Sequence, residues 1–414
     1  MLDFASVGRV GRRALTALIL AMALALGCAP GEDPVVARAT TVLQETAGQN
    51  QEYERYALGI SEGTDSPDVL EFVVAKMGSD NFQTAIVAVN ALGDEPAAEA
   101  TEALRQIFEN KGGALQRSAA IQLARLGDAE ALVYLKAQLS DPQQLLSIPS
   151  VVLVARDDQE GTFLGPILID RVKSEDLGIR NEAYAAMGEV ALPWAIQILV
   201  AGLAQERGED RQEAIRALGR AGDPAVAGTI GRFANTRGLV FVTLEALGAL
   251  GQAESVEVVE PMLTNDSHAV RAYSSTALWK LGKKSEAMRV VNELMQDPDP
   301  VVRRILAEQL GSVDEEAARS RLAALAEDET KEVRIESIRA IAAKPGPEFE
   351  GVLVQAASDS DYEVATLALN VLGRVGRGGA VEQIAPLMDN ENPYVALSAA
   401  EAVLSIRARE PATP

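Results

Sequence analysis

The chain of 414 residues contains a single cysteine, Cys28, and a single histidine, His268. One residue of each type cannot form a disulfide or a Cys/His zinc site, and it excludes nearly every Cys–His or Ser–His mechanism. His268 follows a serine that is predicted to cap a helix. We therefore expect His268 to be a solvent-exposed residue at the start of that helix, not a catalytic group or a metal ligand.

Carboxylates are the other groups that could do chemistry, and they occur in short clusters. The clusters at 157–160, 297–299 and 359–361 could suggest calcium, but none has the alternating oxygen ligands and distant Glu of an EF-hand loop. The cluster at 314–316 could supply paired carboxylates, but at the start of a predicted helix it also complements the helix dipole. The sequence therefore predicts no catalytic, cofactor-binding or metal site. A functional role is least strongly opposed for the cluster at 157–160.

Cys28 ends an N-terminal pattern that is typical of exported proteins. A basic segment with Arg9, Arg12 and Arg13 precedes an apolar run, 14–26, that is too short to cross a bilayer. The preceding Leu-Ala-Leu-Gly resembles the lipobox of bacterial lipoproteins, although the order of its leucine and small residue departs from that pattern. The resemblance implies that Cys28 is lipidated and becomes the mature N-terminus. A plain signal peptide with an incidental cysteine is the alternative.

The charge of the chain limits its partners. The formal net charge is −22, and such an acidic chain repels the phosphate backbone of nucleic acids. It also cannot attach to an anionic membrane through a polybasic surface, so only a lipid would hold it there. We expect no nucleic-acid partner and a membrane contact through the lipid on Cys28.

The strongest pattern in the chain is a repeat of 31 or 32 residues, which aligns on an apolar–arginine pair. A small residue follows three positions later and a large apolar one seven positions later, so these columns share one helical face. The arginine column contains Arg117, Arg180, Arg211, Arg271, Arg303 and Arg334. A glycine column follows eight positions later: Gly93, Gly188, Gly219, Gly248, Gly311 and Gly373. The small column predicts close approach of helices, and the glycines suit helix ends.

The residue four positions before the arginine column is usually one that caps a helix. These predicted caps are Asn81, Asp176, Thr236, Ser267, Asp299, Thr330, Asp361 and Asn392. A turn and a second helix follow each glycine, for example at 315–325. The sequence therefore predicts an all-α fold, an α-solenoid in which helix–turn–helix units of about 31 residues stack as a superhelix.

The Val-Arg, small and Leu-Gly columns resemble HEAT repeats, and the short period is similar to that of the HEAT-like repeats named after phycobilisome lyases. In that family, such arginines typically pair with acidic residues between repeats. The resemblance therefore favours a structural role for the arginine column over a ladder of ligand-binding groups, with Asp297 and Asp328 as acidic candidates.

The stretch 141–176 is a degenerate repeat with an unusually apolar segment at 145–154. It is either an eroded unit that still packs, or a bend or exposed patch that partners recognise. The predicted organisation is a signal peptide at 1–27, a lipid-anchored segment with capping helices at 28–64, the repeat solenoid at 65–408 and a disordered tail at 409–414.

These features favour a membrane-tethered, non-catalytic scaffold or adaptor at the cell envelope, which binds an unidentified protein partner on the surface of its second helices. The physical reason is that a helix stack offers extended surface without a deep pocket. A bilin-lyase-like cofactor-attachment enzyme or chaperone, implied by the family resemblance, is the alternative. The export signal and the scarcity of Cys and His oppose it, and a structural spacer without a specific ligand is a third reading.

Overall fold

A computed structural model describes residues 34–49, 51–60, 67–92, 98–142, 144, 146–204 and 207–409. The described residues are helical throughout, with short turns and no β-strand. Cys28 lies outside them. They form two units: unit 1 joins the described parts of Met1–Ile107 and Lys344–Pro414, and unit 2 is Phe108–Ala343. None of the described helices is long and apolar enough to cross a membrane.

The helices follow one another with few residues between them. The first twelve are α1 (Pro34–Ala47), α2 (Gln51–Ile60), α3 (Pro67–Met77), α4 (Phe82–Asn90), α5 (Ala98–Asn110), α6 (Gly113–Arg125), α7 (Ala129–Ser140), α8 (Ile148–Ala155), α9 (Leu164–Arg171), α10 (Leu177–Val190), α11 (Pro193–Gly202) and α12 (Gly208–Ala221). The other twelve are α13 (Ala227–Gly231), α14 (Val240–Leu250), α15 (Val256–Val259), α16 (His268–Lys280), α17 (Lys284–Leu294), α18 (Pro300–Leu310), α19 (Glu316–Leu325), α20 (Lys331–Ala343), α21 (Glu350–Ala356), α22 (Tyr362–Val375), α23 (Gly378–Ile384) and α24 (Pro393–Arg409).

Unit 2 is a stack of helix pairs. The first helices of successive pairs, α10, α12, α14, α16, α18 and α20, pack side by side in that order. The second helices lie between them in sequence and pack on the first helix of their own pair or of the next pair. This arrangement buries the small and large apolar columns, including Ala183, Ala214, Leu218 and Leu278, all of which have no solvent exposure. The predicted all-α solenoid of helix–turn–helix units is confirmed.

The glycine column has a different role from the one predicted. Gly188, Gly219 and Gly248 lie inside their first helices, not at left-handed helix ends. A Cβ on Gly248 would lie 2.8 Å from the Cα of Ala277 in the next first helix. The glycines therefore act by letting neighbouring helices approach closely. The left-handed ends come three residues later, as at Gly251, where φ is +67°.

Most of the predicted caps close the first turn of a helix. The side chains of Asn81, Asp176, Ser267, Asp299, Asp361 and Asn392 all accept a hydrogen bond from a backbone N–H of that turn. The predicted cap at Thr236 is wrong, because the helix begins only at Val240. The four residues before Val240 form a turn that contains Gly238, whose φ is +82°. Thr330 instead accepts a hydrogen bond from Arg303 of the preceding pair, at 3.2 Å.

The degenerate stretch forms a helix pair of its own, α8 and α9. Leu146, Val151, Leu153 and Val154 are buried, so its apolar segment belongs to the core of unit 2. This is the behaviour of an eroded repeat that still packs. The part of this repeat that reaches the surface is the second helix, α9, where Ile169 is 40% exposed.

Unit 1 has a contact that the repeat pattern does not predict. Helix α24 packs on α22, its neighbour in the repeat, and also on α1 and α2 from the beginning of the described chain. Tyr394 of α24 is surrounded by three further tyrosine rings, with centroids 4.9 Å away for Tyr56, 5.3 Å for Tyr53 and 6.1 Å for Tyr362. The Tyr56 and Ser398 hydroxyls form a hydrogen bond of 2.8 Å. Residues more than 300 positions apart thus share one apolar core.

Candidate functional site

The side chains that could do chemistry are used in packing and helix capping. His268 begins α16, is 46% exposed and forms a hydrogen bond through Nδ1 with Asp297 of the next pair. Asp158 accepts hydrogen bonds from the backbone N–H of Phe163 and Leu164, at 3.2 and 2.7 Å. Burial opposes ionisation of Asp158, but these hydrogen bonds prevail and hold its pKa below its ordinary value.

Glu315, from the cluster at 314–316, lies at the N-cap of α19. Its carboxylate accepts from the Lys284 ammonium at 2.9 Å and from the Trp279 indole N–H at 3.1 Å. These two hydrogen bonds lower its pKa. No group of three His, Cys, Asp or Glu residues among the described residues is arranged to hold a metal ion.

The arginine column joins neighbouring repeats. Arg180 donates through Nε to Asp210 at 2.7 Å, and both side chains are only 4% exposed. Arg303 holds Asp328 through two parallel hydrogen bonds, of 2.7 and 2.9 Å. The hydrogen bond with the partner carboxylate raises the pKa of each of these two arginines. These two pairs have the inter-repeat role that the family resemblance implied, with each acid in the repeat after its arginine. Of the two acidic candidates, Asp328 pairs with Arg303 of the preceding repeat, and Arg334 reaches only its backbone carbonyl. The Asp297 side chain hydrogen-bonds His268, and Arg303 reaches only the Asp297 carbonyl.

A concave feature of unit 2 lies between the degenerate repeat and the repeat after it. It is a half-open groove of about 920 Å³, formed by the second helices α9 and α11 and by Tyr184 of α10. It is open to solvent and lies on the surface of the second helices. The volume falls within the range of small-ligand and peptide side-chain pockets.

Small residues make room for this groove. Gly161 and Gly165 face the indole of Trp194, and a Cβ on Gly161 would lie 2.4 Å from the ring carbon Cδ2. Gly161 also has φ +67°, in the left-handed region that favours glycine. On α11, Gly202 lies against the ring of Tyr184, and a Cβ there would lie 2.9 Å from Cε1. The groove therefore has an aromatic floor that larger residues would displace.

The charged residues of the groove leave an excess of positive charge at its rim. Asp210 lies in the lining but is neutralised by its hydrogen-bonded pair with Arg180. Arg207 at the rim is 47% exposed, and its ion pair within the described part of the chain is with Glu175, at 3.3 Å, whose side chain is 92% exposed. Lys173 is exposed and makes no ion pair with any described residue. The rim thus presents two accessible cations on a chain whose net charge is −22.

Three exposed apolar residues lie on second helices of unit 2, and two of these helices form the groove. Val133 on α7 is 67% exposed, Ile169 on α9 is 40% exposed and Val200 on α11 is 37% exposed. Further along unit 2, exposed positions of the second helices are polar, such as Glu257, Glu286 and Arg289. Of the three exposed apolar residues, Ile169 lines the groove.

The sequence analysis missed this site. Trp194, which belongs to none of the repeat columns, is half-buried and lines the groove. Its Nε1 is buried and has no hydrogen-bond acceptor among the described residues. The available signal was the unusual set of small residues at 161, 165 and 202 around one of the two tryptophans. Because those glycines lie outside the regular columns, the repeat alignment did not bring them together.

The comparisons with known proteins agree with the repeat architecture. The family model of HEAT repeats matches residues 258–342, which contain the arginine positions 271, 303 and 334. No curated protein matches the chain. Because α16, α18 and α20 lie in the matched segment, the match covers the most regular part of the unit 2 stack.

Similar solved structures include the complex of CpcE and CpcF of phycocyanin lyase from Nostoc sp. PCC7120, with 16% identity, 73% of this chain and 92% of that chain covered, and a TM-score of 0.35. Human deoxyhypusine hydroxylase in complex with glycerol is 20% identical to this chain, with a TM-score of 0.29. The match covers 63% of this chain and 98% of that chain. A mutant of Kap121p is 11% identical to this chain, with a TM-score of 0.38. The match covers 88% of this chain and 50% of that chain.

The assignment of a family rests on the repeat model and on the geometry of the repeats. The matched segment has the inter-repeat Arg303–Asp328 pair and the close approach of Gly311 to Ala340. The same columns extend over the other helix pairs of the chain. The chain therefore contains HEAT repeats at residues 258–342, and its described residues have an all-α solenoid fold.

Proposed function

We propose that this protein is a non-catalytic scaffold or adaptor, held at the cell envelope by a lipid on Cys28, which binds a protein partner in the groove of unit 2. The observation that carries the proposal is the groove itself, where the ring of Trp194 and the exposed apolar side chain of Ile169 line the same cavity between neighbouring second helices. Exposed apolar surface of this kind costs solubility unless a partner covers it.

The proposed anchor is supported by the sequence before Cys28, with its basic segment, short apolar run and Gly-Cys end. One acyl chain gives only marginal membrane binding, whereas the several chains of a bacterial lipoprotein hold stably. A lipid at Cys28 would confine the solenoid to a membrane surface and raise the local concentration of any partner there.

The non-catalytic part of the proposal is supported by the use of the reactive side chains. Asp158, Glu315 and His268 are each held by hydrogen bonds that cap helices or join repeats. The charged residues of the groove are two rim cations and the neutralised Asp210. This set suits recognition of a surface, because it offers no base placed against a nucleophile.

A site-specific photocrosslinker tests the groove in living cells. The exposed groove residue Gln197 is replaced by p-benzoylphenylalanine, and Glu286, an exposed residue of α17, is replaced as the matched control. We expect one dominant protein crosslinked from position 197 and not from position 286. Equal crosslinking from both positions, or none from 197, would contradict the proposed binding surface.

The lipid anchor needs its own test. Membrane fractions and intact-mass analysis of the native protein are compared with those of Cys28→Ala. We expect acyl chains on the native N-terminus, membrane association that disappears in the variant and weaker crosslinking at position 197. Unchanged membrane association of Cys28→Ala would exclude the lipid as the anchor.

A further inference from the structure

The floor of the groove is made by the one tryptophan of the described chain that lacks a hydrogen-bond partner. Trp279 is 1% exposed and donates to Glu315, so it is fully used within the fold. Trp194 is half-buried, lines the groove, and has a buried Nε1 without an acceptor. The groove therefore offers a ligand the apolar face of this ring, because the Nε1 atom itself is buried.

The walls around this indole are apolar. Pro166, Ile169 and Val172 come from α9 and its end, and Ile198 and Ala201 come from α11. A leucine or phenylalanine side chain placed against them removes apolar surface from water on both partners. The groove therefore favours a ligand with at least one large apolar side chain.

The rim sets the charge of the ligand. Lys173 makes no ion pair with a described residue, and the Arg207–Glu175 pair is exposed on both sides. Exposed pairs of this kind contribute little, so a carboxylate of the ligand can replace Glu175 with little loss. Asp210 does not oppose a carboxylate, since Arg180 already neutralises it.

We infer that the groove binds an acidic segment of the partner protein, in which a large apolar side chain lies on Trp194 and a neighbouring carboxylate lies between Lys173 and Arg207. This inference rests on the proposed function and specifies the chemistry of its partner. Two cations on a chain of net charge −22 steer such a segment to the groove and away from the rest of the surface.

The probe is a library of random dodecapeptides displayed on phage, because it imposes no charge or apolar pattern in advance. The full-length protein and the double variant Lys173→Glu/Arg207→Glu are both used for selection. The matched control, Arg232→Glu/Arg289→Glu, changes the net charge by the same amount at exposed arginines of unit 2 outside the groove.

We expect peptides selected on the native protein to carry Asp or Glu beside a large apolar residue. Their affinity falls at least tenfold in Lys173→Glu/Arg207→Glu and less than threefold in the control. Binding also shifts the tryptophan emission of the native protein and not that of Trp194→Phe. Selected peptides that are basic or uncharged, peptides that bind both double variants equally, or no groove-dependent peptide at all would overturn the inference.

The crosslinking and peptide-binding experiments together separate this inference from the proposed function. A partner that crosslinks at position 197 and binds Lys173→Glu/Arg207→Glu as well as the native protein overturns the acidic segment but leaves the scaffold function. If no protein crosslinks at position 197 while the acidic peptides bind as expected, the scaffold function fails and the chemistry of the groove stands.

Discussion

The indole of Trp194 packs directly on the backbone of Gly161, with no room for a Cβ between them. Gly161 lies in the turn before α9, and Trp194 is the second residue of α11, so this contact fixes the width of the groove between the two helices. The left-handed backbone of Gly161 adds a second requirement for glycine. Two independent constraints thus act on one position.

We expect Gly161→Ala to destabilise unit 2 by about 1–3 kcal/mol, because the methyl group displaces the indole and the backbone is strained. Urea unfolding followed by circular dichroism measures the loss, and the tryptophan emission should shift to the red as Trp194 becomes more exposed. Gly228→Ala is the control, since a Cβ there meets nothing within 4 Å and the residue lies inside α13. An unchanged midpoint and emission for Gly161→Ala would contradict the contact.

Gly248→Ala tests whether the glycine column serves helix packing. A Cβ at this position would lie 2.8 Å from the Cα of Ala277, so the first helices α14 and α16 must move apart. We expect a loss of about 1–3 kcal/mol in the free energy of unfolding, as for other overpacked cores. Urea unfolding is again the measurement. A neutral or stabilising effect, as expected for an unhindered Gly→Ala change in a helix, would show that the close approach has no energetic weight.

The sequence predicts local features of this fold well and long-range ones poorly. The caps at Asp176 and Asp361 were predictable because a cap depends on residues within one turn. The role of Gly248 was not, because a glycine near a helix end can either cap the helix or admit a neighbouring one. Only the position of Gly251, three residues later, distinguishes the two roles.

The groove and the contacts of α1 and α2 with α24 were not predictable for a different reason. Both depend on which side chains meet across elements that the repeat pattern does not order. Trp194 meets Gly161 in the degenerate repeat, where the columns are lost. Tyr394 meets Tyr56 more than 300 residues away, and no periodicity in the chain connects the two positions. A repeat alignment describes contacts between neighbouring units only.

Asp328→Asn tests the buried pair between repeats. Asp328 accepts two hydrogen bonds from Arg303, and their side chains are 9% and 7% exposed. The variant leaves Arg303 buried without its counter-charge, so we expect a loss of about 3 kcal/mol at pH 7. Glu329→Gln is the control. Its carboxylate also lies 3.3 Å from Arg303 but is 87% exposed, so we expect a change below about 0.5 kcal/mol.

The same variant changes the response to acid. Burial raises the pKa of Asp328, but the hydrogen bonds from Arg303 and the Thr330 amide prevail and lower it below 3.8. A lowered pKa in the folded state contributes stability above pH 3.8, and this contribution is lost as the pH falls through the folded-state value. Urea midpoints between pH 7 and pH 2.5 should therefore fall less steeply in Asp328→Asn than in the native protein. Equal slopes would contradict the ionised pair.

Glu401 in the core of unit 1 should give the opposite pH dependence. It is 4% exposed and lies beside Gly373 of α22. Its carboxyl group accepts a hydrogen bond from the Ser405 hydroxyl at 2.6 Å, and the positive charge of Arg409 favours its ionised form. Desolvation by burial prevails over Ser405 and Arg409 and raises its pKa to about 7. The protonated acid is therefore the form that suits the core. Its contribution to stability is fully present below the ordinary pKa of 4.5 and is lost as the pH rises through about 7.

Glu401→Gln keeps the shape of the protonated acid and cannot ionise. We expect it to match the native protein at pH 4.5 and to be more stable at pH 8 by up to about 3 kcal/mol, which is the linkage value of a shift of this size. Urea unfolding at pH 4.5, 6, 7 and 8 measures the difference, and Glu382→Gln, at an exposed position of α23, is the control. If the two proteins lose stability in parallel between pH 4.5 and 8, the buried carboxyl is not the group that titrates. If Glu401→Gln is less stable at every pH, Glu401 stabilises the core in its ionised form, and the direction of its pKa shift is the reverse of that derived from burial.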